Sequence, residues 1–242
     1  MERALLCELH AHTTWSDGEL GLRELVDLYG RAGFDVLCVT DHVLRGDDPW
    51  RLPETCVYEG NFAAYVAAVD AEAERARALY DLLVVPGLEL THNYEDPDRA
   101  AHALAIGLRD FVTPDEGLVG SLLAAREADA AVIAAHPHGP DRDSVPARMT
   151  RRFWLEWEVL SPLVHRAELF NGVDVYSWVA GCGTPPLGAG DTHRRDQLSS
   201  WKTLVPCAKD EAALVAYLRS PAPSYLVPFR AEVEVAPAAA AA

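Results

Sequence analysis

The stretch His10-Ala11-His12-Thr13-Thr14-Trp15-Ser16-Asp17-Gly18 follows a short apolar run at residues 4–9. In a strand, successive side chains alternate between faces, so His10 and His12 project from the same side. Two imidazoles on one side of a strand end can share a metal ion, and Asp17, in the loop that follows, can turn a third donor back toward them. A lone His-x-His pair is common enough to mislead. Recurrence gives this one weight. Asp41-His42, Glu89, His102, His136-Pro137-His138 and Asp191-Thr192-His193 lie nearly all at the ends of apolar runs.

Working outward, hydrophobic periodicity predicts a regular alternation of elements. Residues 5–9 read as a strand. Residues 19–32 read as a helix, with Leu22, Leu25, Val26 and Tyr29 on one face and Gly33 as its stop signal. Residues 36–40 form a near-continuous apolar strand of the kind covered on both faces in parallel sheets. A loop is expected over 43–59, a helix over 62–80 and a strand over 82–85, with Pro86-Gly87 as a break before Leu88-Glu89-Leu90. Polar turn residues at 93–99 precede an apolar run at 102–106, closed by Gly107. A helix is expected over 114–129, a strand over 130–135 and a loop over 140–152. Residues 153–164 read as a helix limited by Pro162, 166–170 as a strand and 173–180 as a short helix. Strands at 187–190 and 201–205 and a helix at 210–219 complete the pattern.

No internal repeat or linker interrupts this order. It predicts a single α/β domain over residues 1–235 with a mainly parallel sheet, and an Ala-rich tail over 236–242 without a core-forming pattern. In a closed parallel barrel the carboxyl ends of the strands converge on one face, which would gather the candidate donors. An open Rossmann-like sheet is the alternative, but no G-x-G-x-x-G separates the first strand from its helix.

Composition narrows the function. The chain has 242 residues, half of them hydrophobic, and a formal net charge of −16. That balance opposes a general nucleic-acid or membrane surface. It leaves room for an anionic substrate, because bound cations would dominate the local field. No run approaches the ~20 apolar residues of a membrane span, and the first residues lack the pattern of a secretory signal, so a cytoplasmic location is expected. The five cysteines, Cys7, Cys38, Cys56, Cys182 and Cys207, are odd in number and include no C-x-x-C. Zinc-finger and disulfide frameworks therefore both fail on spacing, and Cys7 and Cys38 are expected as small buried apolar residues.

The imidazoles of His10, His12, His42, His102, His136 and His193 and the carboxylates of Asp17, Glu89 and Asp191 make nine donors. One structural zinc takes about four. This number suits two or three ions with a shared carboxylate, Glu89 being the natural bridge. A nitrogen and oxygen set without thiolate suits Zn, Mn or Fe. Each residue also has an ordinary reading. His42 can cap or be hydrogen-bonded in the interior, Glu89 can be half of a buried ion pair, His102 can be a core histidine, and Asp191 can cap the turn after Gly190.

In chain order, His10-Ala11-His12 with Ser16-Asp17-Gly18, Thr40-Asp41-His42, Gly87-Leu88-Glu89, His102 through Gly107, Ala135-His136-Pro137, Glu168 through Asn171-Gly172, and Gly190-Asp191-Thr192-His193 resemble the motifs of the PHP (polymerase and histidinol phosphatase) superfamily across residues 5–193. Thr203-Leu204-Val205 and the helix after it resemble the superfamily's ending. Asp17 stands where some members have histidine, as in the Ser-Asp-Gly branch of small metal-dependent phosphoesterases. The resemblance implies a distorted (β/α)7 barrel holding two or three divalent ions. By position, His10, His12, Glu89 and Asp191 resemble the ligands of the first ion, Asp17, His42 and His193 those of the second, and Glu89, His102 and His136 those of the third. It implies hydrolysis of a small-molecule phosphate ester by attack of a metal-bridging hydroxide on phosphorus.

In such a site His138 would bind a phosphate oxygen or protonate the leaving group. Arg194 and Arg195 would clamp phosphate, Arg194 being the arginine expected to act with His138 in catalysis. Asp41 would orient a ligand from behind. Plain loop, surface-charge and turn roles are the alternatives for these four. Only residues 139–166 separate the His136 strand from Glu168, which leaves no room for a large inserted subdomain and opposes a bulky nucleotide. Trp154, Trp157, Tyr176 and Trp178 either line a pocket or, as the spacing favours, pack as core. A small phosphorylated substrate is expected, without a nucleic-acid polymer or membrane. The competing functions are amide or lactone hydrolysis on the same barrel, histidinol-phosphatase-like activity, and a non-enzymatic scaffold.

Overall fold

A computed structural model describes residues 3–48, 51, 55–140 and 150–231. The predicted tail at 236–242 lies outside the described residues. The chain runs β1 (Leu5–Glu8), α1 (Leu22–Arg31), β2 (Val36–Val39), β3 (His42–Leu44), α2 (Glu59–Tyr80), β4 (Leu83–His92), β5 (Ala101–Ile106), α3 (Gly117–Glu127) and β6 (Ala131–Ala135). It continues through α4 (Arg152–Leu155), α5 (Trp157–Leu160), β7 (Arg166–Asn171), β8 (Asp174–Val175), β9 (Pro186–Ala189), β10 (Trp201–Val205), α6 (Glu211–Arg219) and β11 (Tyr225–Pro228). This is an α/β fold built on one curled sheet of order β11-β10-β1-β2-β4-β5-β6-β7-β8, with β3 on β4 and β9 on β7. Beyond β9 the chain returns alongside β1. Ala11 and Thr192 form a parallel bridge, the His12 amide donates to Thr192 O at 2.9 Å and the Thr192 amide to His10 O at 3.1 Å.

The sheet is mixed rather than mainly parallel. β1, β2 and β4 run together, as do β6, β7 and β9, but β5 is antiparallel to both β4 and β6, and β10 is antiparallel to β1. The physical reason is the connection. Only residues 93–100 separate β4 from β5, too few for the crossover that a parallel neighbour requires. Pro86-Gly87 is likewise not a break. β4 runs unbroken through it, pairing with β2 up to Pro86 and with β5 from Gly87 onward. A proline is tolerable where one ladder hands over to the next, and a Cβ at Gly87 would stand 2.7 Å from Ala105 O, so the bare Cα lets the two strands pass.

Other departures are local. The expected loop over 43–59 contains most of β3 and the start of α2. The predicted helix at 153–164 divides into α4, α5 and a 3-10 turn at Ser161–Leu163, and the one at 173–180 becomes β8 followed by a 3-10 turn at Ser177–Gly181. β11 had no counterpart in the periodicity. No described helix is long and apolar enough to cross a membrane.

The apolar residues sort into two bodies because strand side chains alternate. Leu37, Val39, Val84 and Leu88 pack outward against α1, α2 and α3. Cys7, Leu9, Val36, Cys38, Val85, Leu104, Ile106, Ile133 and Leu187 fill the inner side of the curl, which Leu214 and Leu218 of α6 close. Cys7 and Cys38 are fully buried filler, as expected.

The closing helix is tied down by a buried arginine. Arg166 donates to Leu218 O at 2.8 Å, Tyr217 O at 2.9 Å, Ser220 O at 2.9 Å and Ala222 O at 2.8 Å, and to Ser224 Oγ at 3.1 Å. Tyr217 O and Leu218 O belong to the last turn of α6, where carbonyls lack intrahelical partners, and Ser220, Ala222 and Ser224 belong to the chain that leaves it. Arg166→Met is expected to lower stability by about 3 kcal/mol or more, since it strands several buried acceptors at once; denaturant unfolding followed by circular dichroism measures the loss.

Candidate metal centre

All nine predicted donors meet at one rim of the sheet, and they form four overlapping groups: His12, Asp17, His42 and His193; His10, Glu89 and His136; His10, His12 and Asp191; His42, Glu89 and His102. Within each group the donor atoms lie within 4.8 Å of one another. His10 and His12 follow β1, His42 opens β3, Glu89 lies within β4, His136 follows β6, and Asp191 and His193 follow β9.

Glu89 is the hub. Its Oε1 lies 2.9 Å from His102 Nδ1 and 3.0 Å from His136 Nε2, and its Oε2 lies 3.0 Å from His42 Nδ1, 3.2 Å from His10 Nε2 and 3.4 Å from His12 Nε2. Asp191 Oδ1 stands 3.2 Å from His12 Nε2 and 3.4 Å from both His10 Nε2 and His193 Nδ1. Asp17 Oδ1 faces His193 Nε2 at 3.2 Å and His42 Nε2 at 3.5 Å.

The residues fit divalent cations on an observation independent of any likeness. His10 Nε2, both ring nitrogens of His12, Glu89 Oε2 and Asp191 Oδ1 are buried without a hydrogen-bond partner. Interior polar atoms are normally satisfied. Here the unsatisfied atoms converge on the same few ångströms.

Electrostatics tells the same story. Burial alone would raise Glu89, but His42, His10 and His102 hold it well below the usual carboxylate range. Burial likewise opposes ionisation of Asp191, and His10, His12 and His136 hold it well down. The imidazoles divide. Burial, with His193 and His42 as like charges, lowers His12 to about 3. Burial also wins over Glu89 at His102, which falls to about 4. At His42 burial loses to Glu89, Asp17 and Asp191, and the ring rises to about 9. Protons on some imidazoles thus offset a carboxylate cluster that cations would otherwise offset.

Behind the donors stands a set of orienting contacts. His10 Nδ1 meets Glu168 Oε1 at 2.9 Å, His42 Nδ1 meets Thr91 Oγ1 at 2.7 Å, and His102 Nε2 meets Asn93 Oδ1 at 2.9 Å. Such contacts choose the tautomer and aim the free nitrogen. Glu168 Oε2 also accepts from the His136 amide at 2.6 Å and from Asn171 Nδ2 at 2.8 Å. The His136 amide needs that hold, since His136 has φ 29° and Asp191 has φ 48°, backbone states that cost on the order of 1–3 kcal/mol each outside glycine. Asp41, buried, accepts from Thr13 N at 2.8 Å, Thr13 Oγ1 at 2.8 Å and Ser16 Oγ at 2.6 Å, pinning the loop that delivers Asp17. The sequence points to Asp41 for such a role but not to Glu168, Thr91 or Asn93, although Glu168 is a carboxylate inside the apolar strand at 166–170.

The expected substrate residues stand apart from the donors. His138 is half-buried, its ring 6.4 Å from His136 and 5.1 Å from Tyr176, with Nδ1 3.2 Å from Thr150 Oγ1. Burial and the neighbouring His136 lower it to about 4. Arg194 is half-exposed with Nε 3.3 Å from Asp196 Oδ1, and Arg195 is exposed. Of the aromatics, Tyr176 packs on His138 and is buried, while Trp178 donates to Pro137 O at 2.7 Å and Trp157 to Cys182 O at 3.1 Å. Trp154, Trp157 and Trp178 also line a surface groove that none of the donors borders.

No family model matches the chain. Over 141 residues, 54% of its length, it is 28% identical to the DNA polymerase/3'-5' exonuclease PolX of Bacillus subtilis, of which it covers 23%. In shape it is similar to a two-domain Bacteroides vulgatus protein containing a predicted PHP-like metal-dependent phosphoesterase, with TM-score 0.69 and 20% identity over 93% of this chain and 65% of that one. The chain has the PHP fold. The PHP resemblance read from the motifs is borne out. A Bifidobacterium adolescentis protein, provisionally assigned as a metal-dependent phosphoesterase, superposes with TM-score 0.51 and 16% identity over 81% of this chain and 90% of that one. The chain spans less than two thirds of the Bacteroides protein and about a quarter of PolX.

Two outcomes follow from the geometry of this donor cluster. Ligands must shed protons to bind a cation. With His42 raised to about 9, Mn²⁺ or Zn²⁺ affinity should tighten as pH climbs from 6 toward 9 and weaken as it falls, with proton release on binding; calorimetry in buffers of different ionisation heat reads both. Glu168→Gln should weaken metal affinity by about 10–100-fold, the range for residues that orient a ligand histidine, while leaving the fold intact by circular dichroism.

Proposed function

We propose that the chain is a metal-dependent phosphoesterase that hydrolyses a small-molecule phosphate ester. The observation that carries this is the convergence of five imidazoles on the buried Glu89 carboxylate, with donor atoms around it that make no hydrogen bond. In this reading the seven strands β1, β2, β4, β5, β6, β7 and β9, returning to β1 through the Ala11–Thr192 bridge, form a distorted (β/α)7 barrel within one domain over 1–235. His10, His12, Glu89 and Asp191 hold one cation, Asp17, His42 and His193 a second, and Glu89, His102 and His136 a third. Mn, Zn and Fe all suit the donors.

Divalent cations, when bound, bring the pKa of coordinated water toward neutrality and neutralise phosphoryl oxygens as charge builds. The chain's own residues do the rest. Glu168 accepts a hydrogen bond from His10 Nδ1–H, which leaves the lone pair of Nε2 facing the centre. Glu89, kept anionic, spans the groups on both sides of it. His138, neutral in the free chain, offers a ring nitrogen to a phosphate oxygen beside His136; an arriving phosphate dianion raises its pKa and so equips it to protonate the departing alkoxide. Arg194 and Arg195 can turn toward a substrate from their exposed positions, Arg194 by leaving Asp196. The partner is a small phosphorylated compound, because the chain carries a formal net charge of −16 that opposes a polyanion.

A panel of phosphate esters tests this. Phosphate release should vanish on chelation and return with added Mn²⁺, Zn²⁺ or Fe²⁺. Glu89→Gln should lower the rate by more than about 100-fold, beyond what residues supporting a ligand produce. Release that survives metal stripping, or that is unchanged when His10→Ala and Asp191→Ala are combined, would overturn the reading.

A further inference from the structure

One fully buried carboxylate outside the donor set ties together the two strand ends that carry His10 and Asp191. Glu8 ends β1. Its Oε1 accepts from the Leu9 amide at 3.0 Å, the His10 amide at 3.1 Å and the Gly190 amide at 2.8 Å. Its Oε2 accepts from the Tyr29 hydroxyl at 2.9 Å and is paired with Lys202 Nζ of β10. Tyr29 spends its one proton on Glu8, so it accepts from Thr192 Oγ1 at 2.7 Å. Lys202 also donates to Ser200 Oγ at 2.6 Å. Glu8, Tyr29, Thr192 and Lys202 are all completely buried.

The surroundings are shaped to this arrangement. A Cβ at Gly190 would collide with Glu8 Oε2 and Lys202 Nζ and stand 2.6 Å from Thr192 Oγ1, so any larger residue there would displace this arrangement. The next residue, Asp191, has φ 48°. Stability alone does not account for a charge pair in this place, because apolar residues of similar volume commonly stabilise an interior as well or better. What a carboxylate supplies and an apolar side chain does not is a fixed point for three amides. Two of those amides belong to the chain entering His10, and the third to the chain entering Asp191.

We propose that Glu8, held by Lys202 and Tyr29, is a positioning residue that sets His10 and Asp191 at the separation a shared cation requires. The proposal rests on the reading of the centre as a cation site. It names no contact between Glu8 and any metal; Glu8 acts through the backbone of the donors.

Cobalt(II) titration of the whole chain, followed by its visible absorption, tests this without any assay of activity. Two double variants remove the buried charge equally. Glu8→Gln with Lys202→Met keeps an oxygen acceptor for the three amides, and Glu8→Ala with Lys202→Met does not. The glutamine pair should bind cobalt within about threefold of the parent. The alanine pair should bind about 10–100-fold more weakly with altered absorption bands, as when an orienting group is lost. Arg166→Met, which weakens the fold at the opposite end of β7, should leave cobalt affinity unchanged. If the alanine pair does not fold, Tyr29→Phe, which removes one hydroxyl from the arrangement, should still weaken cobalt binding by a few-fold. A parent chain that binds no cobalt overturns the cation-site reading and this proposal with it. A parent that binds cobalt, with the alanine pair or Tyr29→Phe binding equally well, overturns the positioning role alone.

Discussion

A single carboxylate with five imidazoles around it governs this structure. Glu89 is completely buried, and burying an ionised carboxylate is unfavourable unless opposite charge and hydrogen-bond donors stand close. The imidazoles come from β1, β3, β5 and β6, so satisfying one side chain requires all those strand ends to arrive together. The sheet has to curl for that to happen, and the chain after β9 has to return to β1. The contacts behind the donors are then second-order demands: Glu168 on His10 and the His136 amide, Asp41 on the loop before Asp17, Glu8 on the amides beside His10 and Asp191. Most of these acceptors are carboxylates that are themselves buried, so the site rests on a layer of anions held in place by backbone N–H groups.

Much of this was legible because the site obeys strand chemistry. His-x-His at the end of an apolar run reads as two side chains on one face, and the same rule found His42, His136, Asp191 and His193. The signals were weaker where geometry is set by neighbours rather than by local sequence. Glu8 sits in an apolar strand as one charged letter, and nothing local says that Lys202, 194 positions away, is its partner. Pro86-Gly87 carries the signature of a break and yet lies inside the longest strand, because what those residues mark is a change of hydrogen-bonding partner. The short β8 and β11 have too few residues for a period to register.

His102 shows why the expectation of a mainly parallel sheet failed without harming the site. It stands at the start of its strand, not the end, which a parallel barrel would place at the wrong rim. β5 runs backwards. Thr91, two residues beyond Glu89, pairs with His102, and Ala135, just before His136, pairs with it from the other side. Reversal of that one strand carries its amino end to the rim where its neighbours end. The antiparallel turn at 93–100 is thus what admits an imidazole to the Oε1 side of Glu89, and Asn93 from that same turn holds the ring's outer nitrogen. Connection length decided strand direction, and strand direction decided which residue could become a donor.

The charge balance carries the argument one step further. The chain is strongly acidic, and the centre adds Asp17, Glu89 and Asp191 to the buried Glu168 and Asp41 nearby. Without cations, protons must offset these carboxylates, and they do so unevenly: His42 is held up while His12 and His102 are held down. An uneven distribution follows from packing imidazoles within 4.1–6.0 Å of one another, since neighbouring imidazolium charges repel. Bound cations would replace that frustrated set of protons with charge that the surrounding donors can face. Cations held at that rim would make it locally attractive to an anion despite the chain's net charge of −16.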